Sequence, residues 1–380
     1  MTPGKIVPNI QGDENKKGGW RYLFKHFDAL LFGLVLFVTV MGIFVIYGAT
    51  YQVPGLSQYA WKQVIWVGLG VTVLFILCLV DFRHIRQLVL PLYFIVMASL
   101  ILLPFLGHKV KGARSWYALG SYRIQPAEFA KIIVVVCLAH YLASRDFVLD
   151  RIRDIIFPLF IAGIPAVLIF IQPDFGTASL FFPILLIMLY VAGTSKKLLV
   201  LLMLMAIWAG TAGYPFLKPY QKARIKVFLH PEHDHRWLGY NIRQSEISLG
   251  SGGLWGKGWK QGTQTRLRFL PERHTDFIFS SLGEQFGFMG CAGLLILYCI
   301  ITLRTLRLAS RTLNKFGRLV IVGMISCFLL HIIFNIGMSL RLMPVTGLPL
   351  PLFSYGGSFL LTNYIIFGII ESISMRRFYY

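Results

Sequence analysis

The residue best suited to take a proton in this sequence is Asp276, which ends a basic polar segment and directly precedes an apolar run. His274 and Arg273 lie two and three positions before it, so the carboxylate has cations beside it and apolar chain after it. A carboxylate that is partly desolvated yet close to cations has the properties of a general base. The alternative is that Asp276 only caps the start of the following helix.

Glu128 and Lys131 form a second candidate, because they lie in the apolar run that begins after Pro126. Charged residues at membrane depth are costly and are functional hypotheses by default. Three residues apart on a helix, these two side chains share one face and can pair with each other or with a charged ligand. A purely structural ion pair is the other interpretation of the same spacing.

Asp174 lies in a very short polar turn, residues 172–177, between two apolar runs. Its carboxylate could contact a ligand at the membrane boundary. It could equally be a turn residue or the N-cap of the next helix.

A proline-broken segment, residues 342–358, contains Ser354, Gly356 and Gly357 and leads into the last apolar run. Irregular backbone near a membrane is tolerated where it lines a cavity. Free N–H groups at a helix start can bind phosphate. We therefore predict an anion-binding position here.

The histidine-rich stretch 230–235 contains three imidazoles and two carboxylates, which could bind a metal ion. Its spacing matches no zinc pattern, and a solvated loop is the other interpretation. No protein metal site is therefore predicted.

The elements that position these side chains must lie in a membrane. Of 380 residues, 56% are hydrophobic and only 14% charged, too few for the surface of a soluble domain. The net charge of +21 comes from short basic clusters between apolar runs, which favours membrane headgroups and argues against a nucleic-acid partner. The predicted fold class is an all-α integral membrane protein.

Apolar runs long enough to span a bilayer occur about ten times. They lie at 29–49, 64–80, 88–106, 127–143, 155–171, 178–193, 198–214, 277–303, 318–338 and 353–372. The predicted organisation is a cytoplasmic tail (1–27), helices 1–7 (28–213), a large extracytoplasmic loop (214–276), helices 8–10 (277–374) and a cytoplasmic C-terminus (375–380).

Basic residues set this orientation. The side of the termini carries nineteen Lys/Arg, whereas the short connections opposite carry two, so the termini are predicted to be cytoplasmic. The long loop alone carries eleven, which suits an anionic lipid ligand at the outer leaflet or simply neutralises headgroups. Within the loop, residues 220–229 predict an interfacial helix, and the glycine-rich stretch 248–262 predicts anion-binding backbone or a flexible linker.

With these motifs the sequence resembles the SEDS family (shape, elongation, division and sporulation) of bacterial cell-wall polymerases. The forms at 262–264 and 270–274 are closer to the elongation-type members than to the division-type members. The matching segments are 111–116, 125–131, 172–177, 250–259, 262–264, 269–279, 335–338 and 349–358.

The resemblance implies a peptidoglycan glycosyltransferase that polymerises lipid II into β-1,4 glycan strands at the outer face of the bacterial cytoplasmic membrane, for elongation and rod shape. It implies Asp276 as the catalytic residue. Further functional positions are implied at Glu128, Lys131 and Asp174 and in the segment of Trp116. The implied partners are lipid II, the undecaprenyl-pyrophosphate-linked glycan and a class B penicillin-binding protein.

The implied reaction inverts an α-linked sugar, so a base must take the acceptor proton while cations stabilise the departing pyrophosphate. The candidate cations are Lys111, Arg114, Lys131 and Arg273, and a divalent cation (Mg or Mn) is a candidate cofactor bridging the phosphates. The rival functions are a lipid II flippase or transporter, and a scaffold for a cell-wall synthase.

Overall fold

The computed structural model describes residues 25–52, 56, 58–110, 113–120, 122–145, 150–229 and 238–377. A short 3-10 helix, Tyr214–Phe216, lies between the helices Lys196–Gly213 and Pro219–Leu229. The helices are α1 (Ala29–Thr50), α2 (Gln58–Leu79), α3 (Phe82–Gln87), α4 (Val89–Leu106), α5 (Pro126–Ala143), α6 (Ile152–Ile171), α7 (Phe175–Val191), α8 (Lys196–Gly213), α9 (Pro219–Leu229), α10 (Leu238–Ser251), α11 (Thr263–Arg266), α12 (Ile278–Arg311), α13 (Lys315–Ser339) and α14 (Gly357–Met375).

Nine of the described helices are long and apolar enough to cross a bilayer, and α7 is a shorter apolar helix of 17 residues. Together they correspond to the ten predicted runs, with ends that differ by a few residues. The largest differences are at α12, which ends at Arg311 rather than at 303, and at α2, which begins at Gln58 rather than at 64. The chain is therefore an all-α multi-pass membrane protein, as predicted.

An element that the sequence did not predict connects α4 to α5. It is a three-stranded antiparallel sheet of β1 (His108–Val110), β2 (Ala113–Leu119) and β3 (Tyr122–Ile124), in the order β1-β2-β3. Alternate residues of β2 face the helices: Ser115 donates to the Gln172 carbonyl (3.1 Å) and Tyr117 to the Ser99 carbonyl (2.7 Å). The sheet is thereby held against α4 and against the turn between α6 and α7.

The centre of the bundle is formed by α5, α13 and α14, whose residues are mostly buried. Glycines allow α14 to lie close to α2, since a Cβ at Gly70 would come within 2.5 Å of the Tyr364 ring. By contrast, α8 buries only Leu198 and Leu202 among its residues. A helix that is apolar on all faces and unpacked on most of them suits contact with lipid.

The long connection between α8 and α12 lies at one end of the bundle, which we call the loop end. The interfacial helix expected at 220–229 corresponds to α9, which is bound to the bundle through an apolar cluster. The members of that cluster are Val227, Ile242, Leu270, Phe277, Met338 and Val345.

The glycine-rich stretch docks on α12, so it is not a free linker, and anion binding by its backbone stays a prediction. The helix is interrupted at Gly287, whose φ of 64° and ψ of −162° are not helical. The loop fills the gap in the helix ladder: the N–H groups of 257 and 258 donate to the carbonyls of 284 and 285, and those of 288 and 289 donate to the carbonyls of 253 and 254. A Cβ at Gly256 would collide with the Gln285 carbonyl, so close backbone approach requires glycine there.

Candidate active site

Asp276 lies at the loop end, immediately before α12, and is half-buried. Phe277 rather than Asp276 occupies the N-cap position of α12. The carbonyl oxygens of residues 274–276, the Asp276 turn, are each bound from another segment. They accept from the Tyr355 N–H (2.9 Å), the Ser354 hydroxyl (2.6 Å) and the Asn335 amide (2.8 Å), respectively. Three tertiary hydrogen bonds in succession fix the backbone that carries the carboxylate.

The segment between α13 and α14 supplies the second wall of this site. Gly347 of this segment lies close to the carboxylate, since a Cβ there would lie 3.5 Å from Asp276 Oδ2. Its φ of 74° is in the left-handed region that favours glycine. Asn335 also donates to the Leu348 carbonyl (2.7 Å), so one side chain joins the Asp276 turn to this segment.

Glu128 and Lys131 pair as the sequence predicted for one helix face. Lys131 Nζ lies 2.9 Å from Glu128 Oε2 and 2.5 Å from His331 Nε2 of α13, and both members of the pair are 3% exposed. A cavity of about 10 Å³ adjoins them, which is room for about one water. Its lining comes from α5, α13 and α14 and does not include Asp174 or Asp276.

Asp174 is the N-cap of α7. Its Oδ1 accepts from the Thr177 N–H (3.0 Å) and its Oδ2 from Gln125 Nε2 (2.8 Å). Two residues on, a Cβ at Gly176 would lie 2.5 Å from the Thr346 carbonyl. The start of α7 therefore contacts the segment that carries Gly347, which brings Asp174 to the same end of the bundle as Asp276.

Arg273 and His274 contact the neighbouring helices α1 and α2. Arg273 is buried and its Nε–H donates to the Ala49 carbonyl at the end of α1 (2.8 Å). Burial, and then the charge of Arg268, lower the pKa of Arg273. The His274 ring lies 5.0 Å from that of Tyr59 in α2.

The β-sheet carries Arg114 and Trp116. Arg114 is exposed and donates to the Pro104 carbonyl (2.7 Å) at the end of α4, while Trp116 is half-buried and opposite His108 in the sheet. Lys111 lies outside the described residues, as does the histidine-rich stretch 230–235.

Ser354, Gly356 and Gly357 contact neighbouring segments. The Ser354 hydroxyl, already bound to the Asp276 turn, also accepts from the Leu350 N–H (2.8 Å), and the Gly356 N–H donates to Gln63 Oε1 (3.3 Å). Gly357 lies against the Trp66 ring, where a Cβ would collide. The segment therefore braces the turn, and phosphate binding at its N–H groups stays a prediction.

One cation of the site was missed by the sequence analysis. Arg224 of α9 donates to the Thr346 carbonyl (3.3 Å), the residue next to Gly347. Burial raises the pKa of the nearby Tyr220. The positive charge of Arg224 lowers that pKa, and the negative charge of Asp174 raises it further. Arg224 and Asp174 are thus both within electrostatic reach of one phenol. Nothing in the sequence separated Arg224 from the other basic residues of the loop.

Glu284 was also missed, although an ionisable residue inside an apolar run is itself a signal. It is fully buried in α12 and accepts from Lys257 Nζ (3.3 Å), from the Thr263 hydroxyl (3.3 Å) and from the N–H groups of 264 and 265 (2.7 and 3.0 Å). These bonds tie the start of α11 and the glycine-rich stretch to the helix that follows Asp276. Glu284 therefore supports the site without facing it.

The fold and these contacts define a multi-pass membrane protein with a carboxylate-centred polar site at one end of its helical bundle. Residues 28–379 match the model of the FtsW, RodA and SpoVE family, described as "Cell cycle protein". The chain is 36% identical over 364 residues to peptidoglycan glycosyltransferase MrdB of Escherichia coli (strain K12). The matched region covers 96% of this chain and 97% of that protein.

Similar solved structures include two that match along nearly the whole length. One is a chain of a peptidoglycan synthase complex that coordinates polymerization and crosslinking, with 31% identity and a TM-score of 0.80 over 93% of this chain and 99% of that one. The other is the rod shape-determining protein RodA of Thermus thermophilus, with 28% identity and a TM-score of 0.70 over 93% and 98%. The chain belongs to the SEDS family, to which its sequence motifs pointed.

Proposed function

We propose that this chain is a peptidoglycan glycosyltransferase that polymerises lipid II into β-1,4 glycan strands at the outer face of the bacterial cytoplasmic membrane, for elongation and rod shape. Membership of the family and the name of its E. coli relative support the activity. The observation that carries the mechanism is the Asp276 turn, whose three carbonyls are held by three separate groups while the carboxylate side chain stays half-exposed.

In the proposed reaction Asp276 is the general base. It takes the proton of the acceptor sugar's hydroxyl, whose oxygen attacks the anomeric carbon of the donor as the bond to pyrophosphate breaks. A single displacement of this kind converts an α-linked sugar into a β-linked one. A base held in a fixed position loses little orientational freedom on reaching the transition state, which is why a braced backbone favours this role.

The leaving pyrophosphate needs positive charge. The candidates from the sequence are Lys111, Arg114 and Lys131. Arg224 is a further candidate, because it donates to the Thr346 carbonyl beside Gly347. Arg273 stays a candidate as well: like Lys131 it is buried (5% and 3% exposed, respectively), and its guanidinium is bound to the Ala49 carbonyl of α1.

A divalent cation (Mg or Mn) would add further charge neutralisation at the phosphates. Among the described residues no three His, Cys, Asp or Glu side chains cluster as metal ligands. Magnesium sites commonly use one or two carboxylates together with substrate phosphates. The Asp276 carboxylate and the substrate's own phosphates fit that arrangement.

The test is polymerisation of purified lipid II by the purified chain in detergent. Asp276→Asn should keep the size of the side chain and the melting temperature of the protein but abolish glycan formation. Full activity in that variant would refute the assignment of the base.

The same assay separates the rival functions. A detergent micelle does not separate two compartments, so glycan made there by the chain alone cannot arise from transport. Formation of glycan would therefore exclude a transport-only or scaffold-only role. We propose a class B penicillin-binding protein as the partner, supported by the likeness to a chain of a peptidoglycan synthase complex.

A further inference from the structure

A buried histidine, His331, completes the contacts of the Glu128–Lys131 pair. It lies on α13, is 2% exposed, and places Nε2 2.5 Å from Lys131 Nζ. On another side, the ring of Phe359 has its centroid 5.8 Å from the same Nζ atom. The ammonium group is therefore surrounded by one carboxylate, one imidazole and one aromatic ring.

The chemistry of the ammonium group explains why an imidazole is needed. Lysine has three N–H donors and no acceptor, and an unpaired buried donor is costly. Glu128 accepts from one donor, and the face of Phe359 interacts with the charge. For Nε2 of His331 to accept another, the ring must be neutral with its proton on Nδ1, because a protonated ring would set a donor against a donor.

The charge of the acceptor matters as well. Glu128 and Lys131 together are neutral, so a neutral imidazole leaves the group neutral. A carboxylate at position 331 would also accept from Lys131 but would make the group anionic, and it would then repel a phosphate. A neutral acceptor holds the ammonium group without cancelling its attraction for an anion.

The position of His331 on α13 links this group to the proposed base. Asn335, which binds the Asp276 carbonyl, follows four residues later on the same helix face. Four residues correspond to about 6 Å along a helix axis. One turn of one helix thus contacts both Lys131 and the Asp276 turn.

We propose that His331 is a positioning residue that holds the Lys131 ammonium group in fixed relation to the Asp276 turn. This inference rests on the proposed function, in which Lys131 attracts the phosphates of the substrate. His331 touches neither the base nor the substrate and acts through Lys131.

The test compares His331→Leu, which has no acceptor, with His331→Gln, whose side-chain oxygen is a neutral acceptor. The matched control is Cys327→Ala, one turn earlier on α13 and lining the same cavity. The readout is kcat/KM for purified lipid II in detergent. His331→Leu should lose about 10- to 100-fold, the range for one buried hydrogen bond to a charged group, whereas His331→Gln and Cys327→Ala should stay within about threefold of the parent.

A second measurement does not depend on activity. In the thermal unfolding of the four proteins of a double-mutant cycle, His331→Leu should lower the melting temperature of the parent chain but not that of Lys131→Met, which has no ammonium group to satisfy. Equal lowering in both backgrounds would mean that the imidazole stabilises the helix packing alone, and would overturn the inference.

The outcomes separate this inference from the proposed function. A parent chain that makes no glycan would refute the function, while the unfolding cycle would still report the His331–Lys131 contact. A parent chain that is active and matched by His331→Leu would refute the positioning role alone, as would a His331→Gln variant as impaired as His331→Leu.

Discussion

Replacing Asn335 with leucine tests whether the Asp276 turn must be held in place. The Asn335 side chain is fully buried, and its Nδ2 donates to the Asp276 carbonyl at 2.8 Å and to the Leu348 carbonyl at 2.7 Å. Leucine has a similar size but no donor. Both carbonyls would therefore lose a partner without a large change in packing.

The expected magnitude follows from these two bonds. A typical internal hydrogen bond contributes about 0.5–1.5 kcal/mol net, and an acceptor left unpaired in the interior costs about 1–3 kcal/mol. Two bonds to one turn therefore amount to roughly 2–3 kcal/mol. If that free energy is lost from the conformation that orients the carboxylate, at about 1.4 kcal/mol per tenfold in rate, activity should fall roughly 30- to 150-fold.

The assay is the initial rate of lipid II polymerisation by purified protein, measured beside its thermal unfolding. The control is Ser326→Ala on the same helix, because that hydroxyl is buried but bonds only to the Val322 carbonyl one turn earlier. A folded Asn335→Leu protein as active as Ser326→Ala would refute the idea that the braced turn matters for catalysis.

Three further substitutions test other parts of the site. Glu284→Gln removes the negative charge that accepts from five donors, so it should lower the free energy of unfolding by roughly 2–4 kcal/mol in a thermal or denaturant melt. An unchanged melt would contradict a stabilising role for these bonds. Gly347→Ala should lower the polymerisation rate at least about tenfold, because φ is positive and the new methyl group would touch the proposed base. Gly293→Ala, where a Cβ meets nothing within 4 Å, should not, and equal rates for the two would contradict this reasoning. Arg224→Ala should reduce kcat/KM for lipid II about tenfold or more, whereas Ala at the exposed Lys226 of the same helix should change it little. Equal losses would indicate only a general effect of charge.

The sequence predicted the helices well because the length and polarity of an apolar run are local properties. The ten runs and the position of Asp276 at the start of α12 follow from hydropathy alone. The pairing of Glu128 with Lys131 follows from helix geometry, since both partners are on one helix. The sheet was missed because two of its three strands, β1 and β3, have only three residues each.

The sequence could not show which distant side chains form hydrogen bonds with the backbone of the site. Asn335 binds a carbonyl 59 residues away, and His331 contacts a lysine 200 residues away. Neither contact leaves a periodic signal. The glycine-rich stretch was ambiguous for the same reason, because its glycines fit the surface of α12 and that surface is visible only in the folded chain.

The break in α12 at Gly287 has a consequence for how the protein is assembled in the membrane. Four backbone groups around the break take their partners from residues 253–258 instead of from the helix itself. In lipid, each such group without a partner would cost several kcal/mol. An isolated α12 should therefore enter the bilayer as an unbroken helix, and the break should form only when the glycine-rich stretch docks. We therefore expect insertion of this span and formation of its break to be separate steps, the second of which completes the support behind the Asp276 turn.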